Sequence, residues 1–209
     1  LNNKLVYYPN PTEEFYYPLT GIKEHSKFFK KEFFNIVFAG NIGEAQSFKT
    51  IIGAIGLLKD FPVKIIVLGS GRYKETALEL IKRNGLESHF DFLGSFQSKE
   101  MPIFFSHADA LLGSLKKSKI FSLTIPAKIQ SYLACGKPII ASLDGEGARI
   151  VEEAKCGVVS PAEDIVQLSQ SIEKIISLDK YKLNEMGRNG RYYYDKEFDR
   201  KFLLDRLET

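Results

Sequence analysis

The chain has 209 residues, 44% apolar and 26% charged, with a formal net charge of +3. That length supports one large α/β domain with a sizeable core; the weak basic bias gives no reason to expect nucleic acid as a partner, and suits a domain that holds an anionic small molecule. Cys135 and Cys156 form neither a disulfide framework nor a metal-ligand spacing, no apolar run reaches membrane-span length and no secretory signal is present, so a reducing cytosol is the expected compartment.

In chain order, residues 1–33 read as a lead-in segment. Leu5–Tyr8 has the composition of a short strand, Pro9, Pro11 and Pro18 interrupt regular structure, and residues 23–32 read as a helix or an exposed linker. The chain begins at Leu1 rather than Met, and an N-terminal part is expected to precede it. From residue 34 to 209, apolar runs of strand length alternate with segments of helical period. Strands are predicted at Asn35–Ala39, Val63–Leu68, Phe90–Leu93, Ala110–Ser114, Pro138–Ser142 and Gly157–Ser160. Helices are predicted at 47–59, 73–84, 99–107, 126–134, 147–154, 162–178 and 180–194, with a final helix through Leu203 and Leu204. Several strands are apolar on both faces, as in a parallel sheet covered by helices. The expected fold is therefore a doubly wound, Rossmann-like parallel sheet, with ligands beyond the carboxyl ends of its strands.

The loops after the strands are where chemistry is expected. In the first, Gly40 and Gly43 allow close backbone approach to a ligand, and Asn41 and Gln46 offer amide donors; a plain strand-to-helix turn needs the same glycines. Gly69-Ser70-Gly71 begins like a dinucleotide fingerprint, but the third glycine is replaced by Lys74, so a tight turn with a solvated Arg72 is the expected role. Pro126 sits where proline favours the first helical position and Gly136 where glycine closes a helix. Lys128 falls in that helix's first turn, with Ser131 and Tyr132 as its neighbours, and Ser122 or Thr124 is a candidate cap. A lysine there is mildly unfavourable unless an anion rests on the free amides. The run Lys116-Lys117-Ser118-Lys119 is read as a solvated loop, with a flap over phosphates as the rival reading. Asp144 is expected to cap the following helix, and Glu146 is a candidate for contact with a sugar. His25, His89 and His107 lie apart, and no Asp-x-Asp pair offers a metal site for a diphosphate.

Leu5–Pro11, Phe38–Gln46, Val67–Gly71, Phe92–Gly94, His107–Ala110, Ile125–Pro138, Gly145–Arg149 and Cys156–Pro161, in that order and spacing, resemble the C-terminal domain of GT-B fold, family 4 glycosyltransferases. The likeness is strongest to a bacterial branch of O-antigen and capsule assembly that includes N-acetylfucosamine transferases. The resemblance implies one half of a GT-B enzyme. Its donor is a nucleotide-diphosphate sugar, expected to be a UDP-sugar, and its acceptor a glycan or lipid-linked molecule, with retention at the anomeric carbon. It implies a separate N-terminal acceptor domain, through which the enzyme would sit peripherally at the inner membrane face. It places Gly40, Asn41, Gly43, Gln46, Pro126 and Lys128 beside the diphosphate, Phe96 near the base, and Ser131 where relatives carry a ribose-binding glutamate. Neutral Asn41 and Gln46 stand where many relatives have Arg and Lys, and Leu123 and Ser131 replace a glutamate pair. Lys128 or the lysines of the 116–119 run would then have to carry the charge, with no metal or other cofactor expected. The alternatives are a non-catalytic nucleotide-binding or protein-docking module and a nucleotide-sugar epimerase half, for which no acid/base pair is found.

Overall fold

A computed structural model describes residues 8, 9 and 11–208. Six parallel strands form one sheet: β1 Phe34–Ala39, β2 Val63–Leu68, β3 Phe90–Gly94, β4 Ala110–Ser114, β5 Ile139–Ser142 and β6 Gly157–Ser160, in the spatial order β3-β2-β1-β4-β5-β6. Helices α1 Phe48–Leu57, α2 Lys74–Arg83, α3 Met101–His107, α4 Lys119–Ser122, α5 Ala127–Ala134, α6 Glu146–Glu153, α7 Ile165–Ile176, α8 Lys180–Glu197 and α9 Arg200–Glu208 complete it. This is the doubly wound, Rossmann-like arrangement that the alternation predicts.

Each strand feeds two cores because its side chains alternate. Ile36, Phe38, Ile65, Val67 and Leu112 pack on the face covered by α1 and α7, while Val37, Ile66, Leu111, Ile139 and Ala141 pack on the face covered by α3, α5 and α6. β2 is buried along its whole length, including Lys64, whose ammonium lies 3.2 Å from Asp91 on β3.

The sheet changes winding direction between β1 and β4. These strands pair only at Ile36 with Ala110 and Val37 with Leu111, and then diverge. The buried Tyr132 hydroxyl fills the opening: it accepts from the Ala39 N–H and donates to the Leu112 carbonyl, both at 3.3 Å. A residue read as a surface neighbour of Lys128 is therefore a bolt across the split, and burial holds its phenol above the usual range.

Several local expectations are corrected. Pro126 is extended (φ −63°, ψ 130°) and stands just outside α5, which begins at Ala127; no side chain caps it. Ser122 and Thr124 instead donate to the Lys119 and Phe121 carbonyls. Asp144 caps nothing: its Oδ1 accepts from the Ala162 N–H at 3.0 Å, tying the loop after β5 to the loop after β6. Of the two readings of residues 23–32, the exposed linker holds and the helix does not: the segment is mostly exposed and contains only a short 3-10 turn, Ser26–Phe28, with Phe28 and Phe29 packed against the α3 face. The strand expected at Leu5–Tyr8 lies outside the described residues except for Tyr8, which is in no strand. The stretch 115–125 contains α4, a four-residue helix with no readable period.

The long α8 lies across the C-terminal end of α5 through two glycines. A Cβ added at Gly187 would stand 2.2 Å from the Gly136 carbonyl oxygen, and one at Gly190 3.1 Å from Cys156 Cβ. Backbone cannot yield as a side chain can, so Gly187→Ala is expected to cost about 2–3 kcal/mol, read as a lower melting temperature in a thermal scan.

Candidate functional site

An open cleft of about 570 Å³ lies at the carboxyl ends of β1 and β2, where the winding reverses. Three loops, two helices and the lead-in segment, through Tyr16, build it. Gly40 and Asn41 come from the loop after β1, Gly69 and Ser70 from the loop after β2, Ser95 and Phe96 from the loop after β3, Met101 and Phe105 from α3, and Lys128, Ser131 and Tyr132 from α5.

The first two loops lock together through their backbones. The Gly40 N–H donates to the Leu68 carbonyl (2.8 Å), the Ile42 N–H to the Ser70 carbonyl (2.9 Å), and the Tyr73 N–H to the Ile42 carbonyl (2.9 Å). Gly40 and Gly69 both have positive φ, 132° and 143°, a region open in practice to glycine alone. The second loop therefore lines the cleft through Gly69 and Ser70, a role its broken fingerprint did not announce. Arg72 faces a separate hollow beside Tyr73 and Thr76.

Lys128 is the site's one strongly perturbed cation. Its Nζ lies 3.9 Å above the Phe38 ring centroid and has no hydrogen-bond partner, and a Cβ on Gly40 would stand 3.5 Å from it. The aliphatic stem leaves α5 and carries the ammonium over the split between β1 and β4. The residue as a whole is partly exposed, yet the ammonium itself is buried. Burial without an acidic neighbour lowers its pKa to about 7. The ring face beneath supplies some cation–π attraction. Three hydrogen-bond donors remain unused, which is the arrangement an incoming anion would complete.

The other expected residues divide. Gly40, Asn41, Phe96, Lys128 and Ser131 line the cleft. Gly43 and Gln46 do not: the Gly43 N–H donates to Gln46 Oε1 at 3.1 Å, closing the turn Glu44–Gln46, and both residues border the hollow that holds Arg72. Pro126 packs against Gly147 instead of facing the cleft. Glu146 is paired with Arg149, Oε2 to Nη2 at 2.9 Å, on the outer face of α6. Ser131 Oγ donates to the Ala127 carbonyl and lies 3.1 Å from Thr12 Oγ1. In the basic run, the Lys116 N–H donates to the Ala45 carbonyl and the Lys117 N–H to Glu163, so its backbone is anchored at two points. Tyr16, which no local sequence feature marks, also lines the cleft, from the lead-in segment.

Among the described residues, the one grouping of three acidic or histidine side chains close enough to share an ion is Glu24, His25 and Glu100, none of which lines the cleft. Cys135 and Cys156 are buried free thiols, and burial raises both to about 12.

The probable glycosyltransferase WbjE of Pseudomonas aeruginosa is 28% identical over 157 residues, covering 73% of this chain and 38% of its own length. The chain thus spans less than half of that relative. Anabaena HepE, crystallised with UDP and glucose, superposes with a TM-score of 0.72 at 20% identity, covering 85% of this chain and 47% of its own. The C-terminal domain of LpcC, a glycosyl transferase group 1 family protein of Francisella tularensis, superposes with a TM-score of 0.68 at 18% identity and covers 88% of this chain and 95% of its own. The pattern that defines the Glycosyl transferases group 1 family matches residues 22–193, and the chain belongs to that family.

Proposed function

We propose that this chain is the donor-binding, C-terminal half of a two-domain GT-B glycosyltransferase, and that its cleft holds a nucleotide-diphosphate sugar, specifically a UDP-sugar. The observation that carries this reading is the buried, unpartnered Lys128 ammonium at the point where the sheet reverses. Supporting it are the UDP complex of HepE and the near-complete overlap with the isolated LpcC domain.

In sugar transfer the bond between the anomeric carbon and the phosphate oxygen breaks, and negative charge grows on the departing nucleoside diphosphate. Stabilising that charge is the task of this half. Lys128 supplies a full charge, the first turn of α5 supplies amides and a positive dipole end, and Gly40 lets the backbone approach. No metal is invoked. The acceptor base and pocket belong to an N-terminal acceptor domain outside this chain. These 209 residues are therefore expected to bind nucleotide and to transfer little sugar alone. The full reaction would retain anomeric configuration and build cell-surface polysaccharide on a glycan or lipid-linked acceptor. The enzyme would work in the cytoplasm, held at the inner membrane face through that other domain. Among the described residues, no helix is long and apolar enough to cross a membrane.

Calorimetric titration with UDP, GDP and a UDP-sugar panel tests this: saturable binding is expected, and silence toward all of them would leave a docking module as the better reading. The pH dependence adds a second test. The free ammonium titrates at about 7, and a bound diphosphate raises that value, so binding takes up a proton above pH 7. UDP affinity is expected to fall from pH 7 to 9, by at most about tenfold per unit. Calorimetry in buffers of different ionisation enthalpy checks the proton uptake directly.

A further inference from the structure

The cleft lining combines polar groups, Gly40, Asn41 and Lys128, with the apolar Phe96, Met101 and Phe105, and Tyr16 joins them from the lead-in segment. Tyr16 is placed by several contacts. Its ring stacks on Phe105 with centroids 6.3 Å apart at 19°, and the Phe15 ring lies 4.7 Å away, tilted by 40°. Its N–H closes a turn onto the Glu13 carbonyl at 3.1 Å. Four residues earlier, Thr12 Oγ1 meets Ser131 Oγ at 3.1 Å. Ser131 also lines the cleft, one helical turn beyond Lys128.

A diphosphate on Lys128 leaves its nucleoside to meet the rings that share this lining, Phe96, Phe105 and Tyr16. A flat heterocycle gains there from ring contact, which tolerates different bases since each has a π-face. The Tyr16 ring packs on the core face covered by α3 and α5 and also borders the cleft.

We propose that the lead-in segment forms part of the nucleotide pocket, with Tyr16 contacting the nucleoside and the Thr12–Ser131 bond holding the segment in place. This rests on the donor-site reading above. It makes Tyr16 a binding residue that acts on the nucleoside and leaves the phosphates untouched. It also ties pocket formation to the part of the chain that leads into the domain, so displacing that segment would weaken nucleotide binding without touching Lys128.

The test uses the intact chain with three probes, UDP, GDP and inorganic pyrophosphate, against the unmodified protein, Tyr16→Leu and Tyr16→Phe. Leucine keeps apolar packing on Phe105 and removes the ring; phenylalanine keeps the ring and removes only the hydroxyl. The unmodified protein is expected to bind at least one nucleotide. Tyr16→Leu should weaken that nucleotide about tenfold and leave pyrophosphate unchanged, and Tyr16→Phe should keep most of the affinity. Unchanged nucleotide affinity in Tyr16→Leu overturns the proposal while the donor site stands. Equal loss for nucleotide and pyrophosphate also overturns it, since that pattern marks general damage to the cleft. No binding of any probe by the unmodified protein removes the donor-site reading, and this inference with it.

Discussion

Lys128→Met is expected to weaken UDP binding by at least about a hundredfold and, at the same time, to stabilise the unliganded protein. Hydrogen bonds to charged groups contribute about 1.5–3 kcal/mol each, so losing two to the diphosphate gives that loss of affinity. The stabilisation follows from burial. The Lys128 pKa falls from 10.5 in water to about 7 in the fold. Between those values the unfolded chain binds a proton that the folded chain does not, so stability rises with pH across that window and is lowest at and below pH 7. The unmet cost at neutral pH is on the order of a few kcal/mol. Methionine has a similar reach, carries no charge and keeps contact with Phe38. The variant should melt higher than the parent at pH 7, and the parent's gain in melting temperature from pH 7 to 9 should shrink in the variant. A lower melting temperature for Lys128→Met would show that the ammonium is satisfied in the unliganded fold.

Gly69→Ala should disable the site through the backbone. A Cβ there would stand 2.0 Å from the Gly40 carbonyl oxygen and 2.9 Å from its carbon, at a residue with φ of 143°. Neither the clash nor the strain can relax without parting the interlocked loops after β1 and β2. A cost of about 4 kcal/mol or more is expected, which for a domain of this size lowers the melting temperature by roughly 10 °C, with loss of UDP binding. Gly56→Ala is the contrasting control. Gly56 lies inside α1, and its added Cβ would meet only Leu86 Cδ1 at 3.8 Å. That change should stabilise by about 0.5–1 kcal/mol. If both substitutions behaved alike, the close approach of the two loops would not be the reason for glycine at position 69.

The strands were legible because each is a short apolar run closed by glycine, serine or a polar loop; Val63–Leu68, Ala110–Ser114 and Gly157–Ser160 coincide end to end with expectation. Lys128 could be singled out because a lysine in a helix's first turn contradicts the dipole unless something negative rests there. What could not be read was set by tertiary contact. Gln46 offers an amide to any partner, and only the folded loop shows it spent on Gly43. Asp144 has cap chemistry, yet a neighbouring loop brings the Ala162 N–H closer to it. Pro126 is suited to a first helical position, but it stays extended, one residue before the helix and against Gly147. Tyr16 lies more than a hundred residues from Ser131 in sequence and reaches the cleft only because the lead-in segment folds back over α3 and α5.

The most direct test is the crystal structure of this chain soaked with UDP. Both phosphates are expected at the carboxyl end of β1, with an oxygen within hydrogen-bond distance of Lys128 Nζ and of the first amides of α5. Phosphates bound at another edge of the sheet, or a Lys128 ammonium still buried against Phe38 with no contact to the nucleotide, would contradict it.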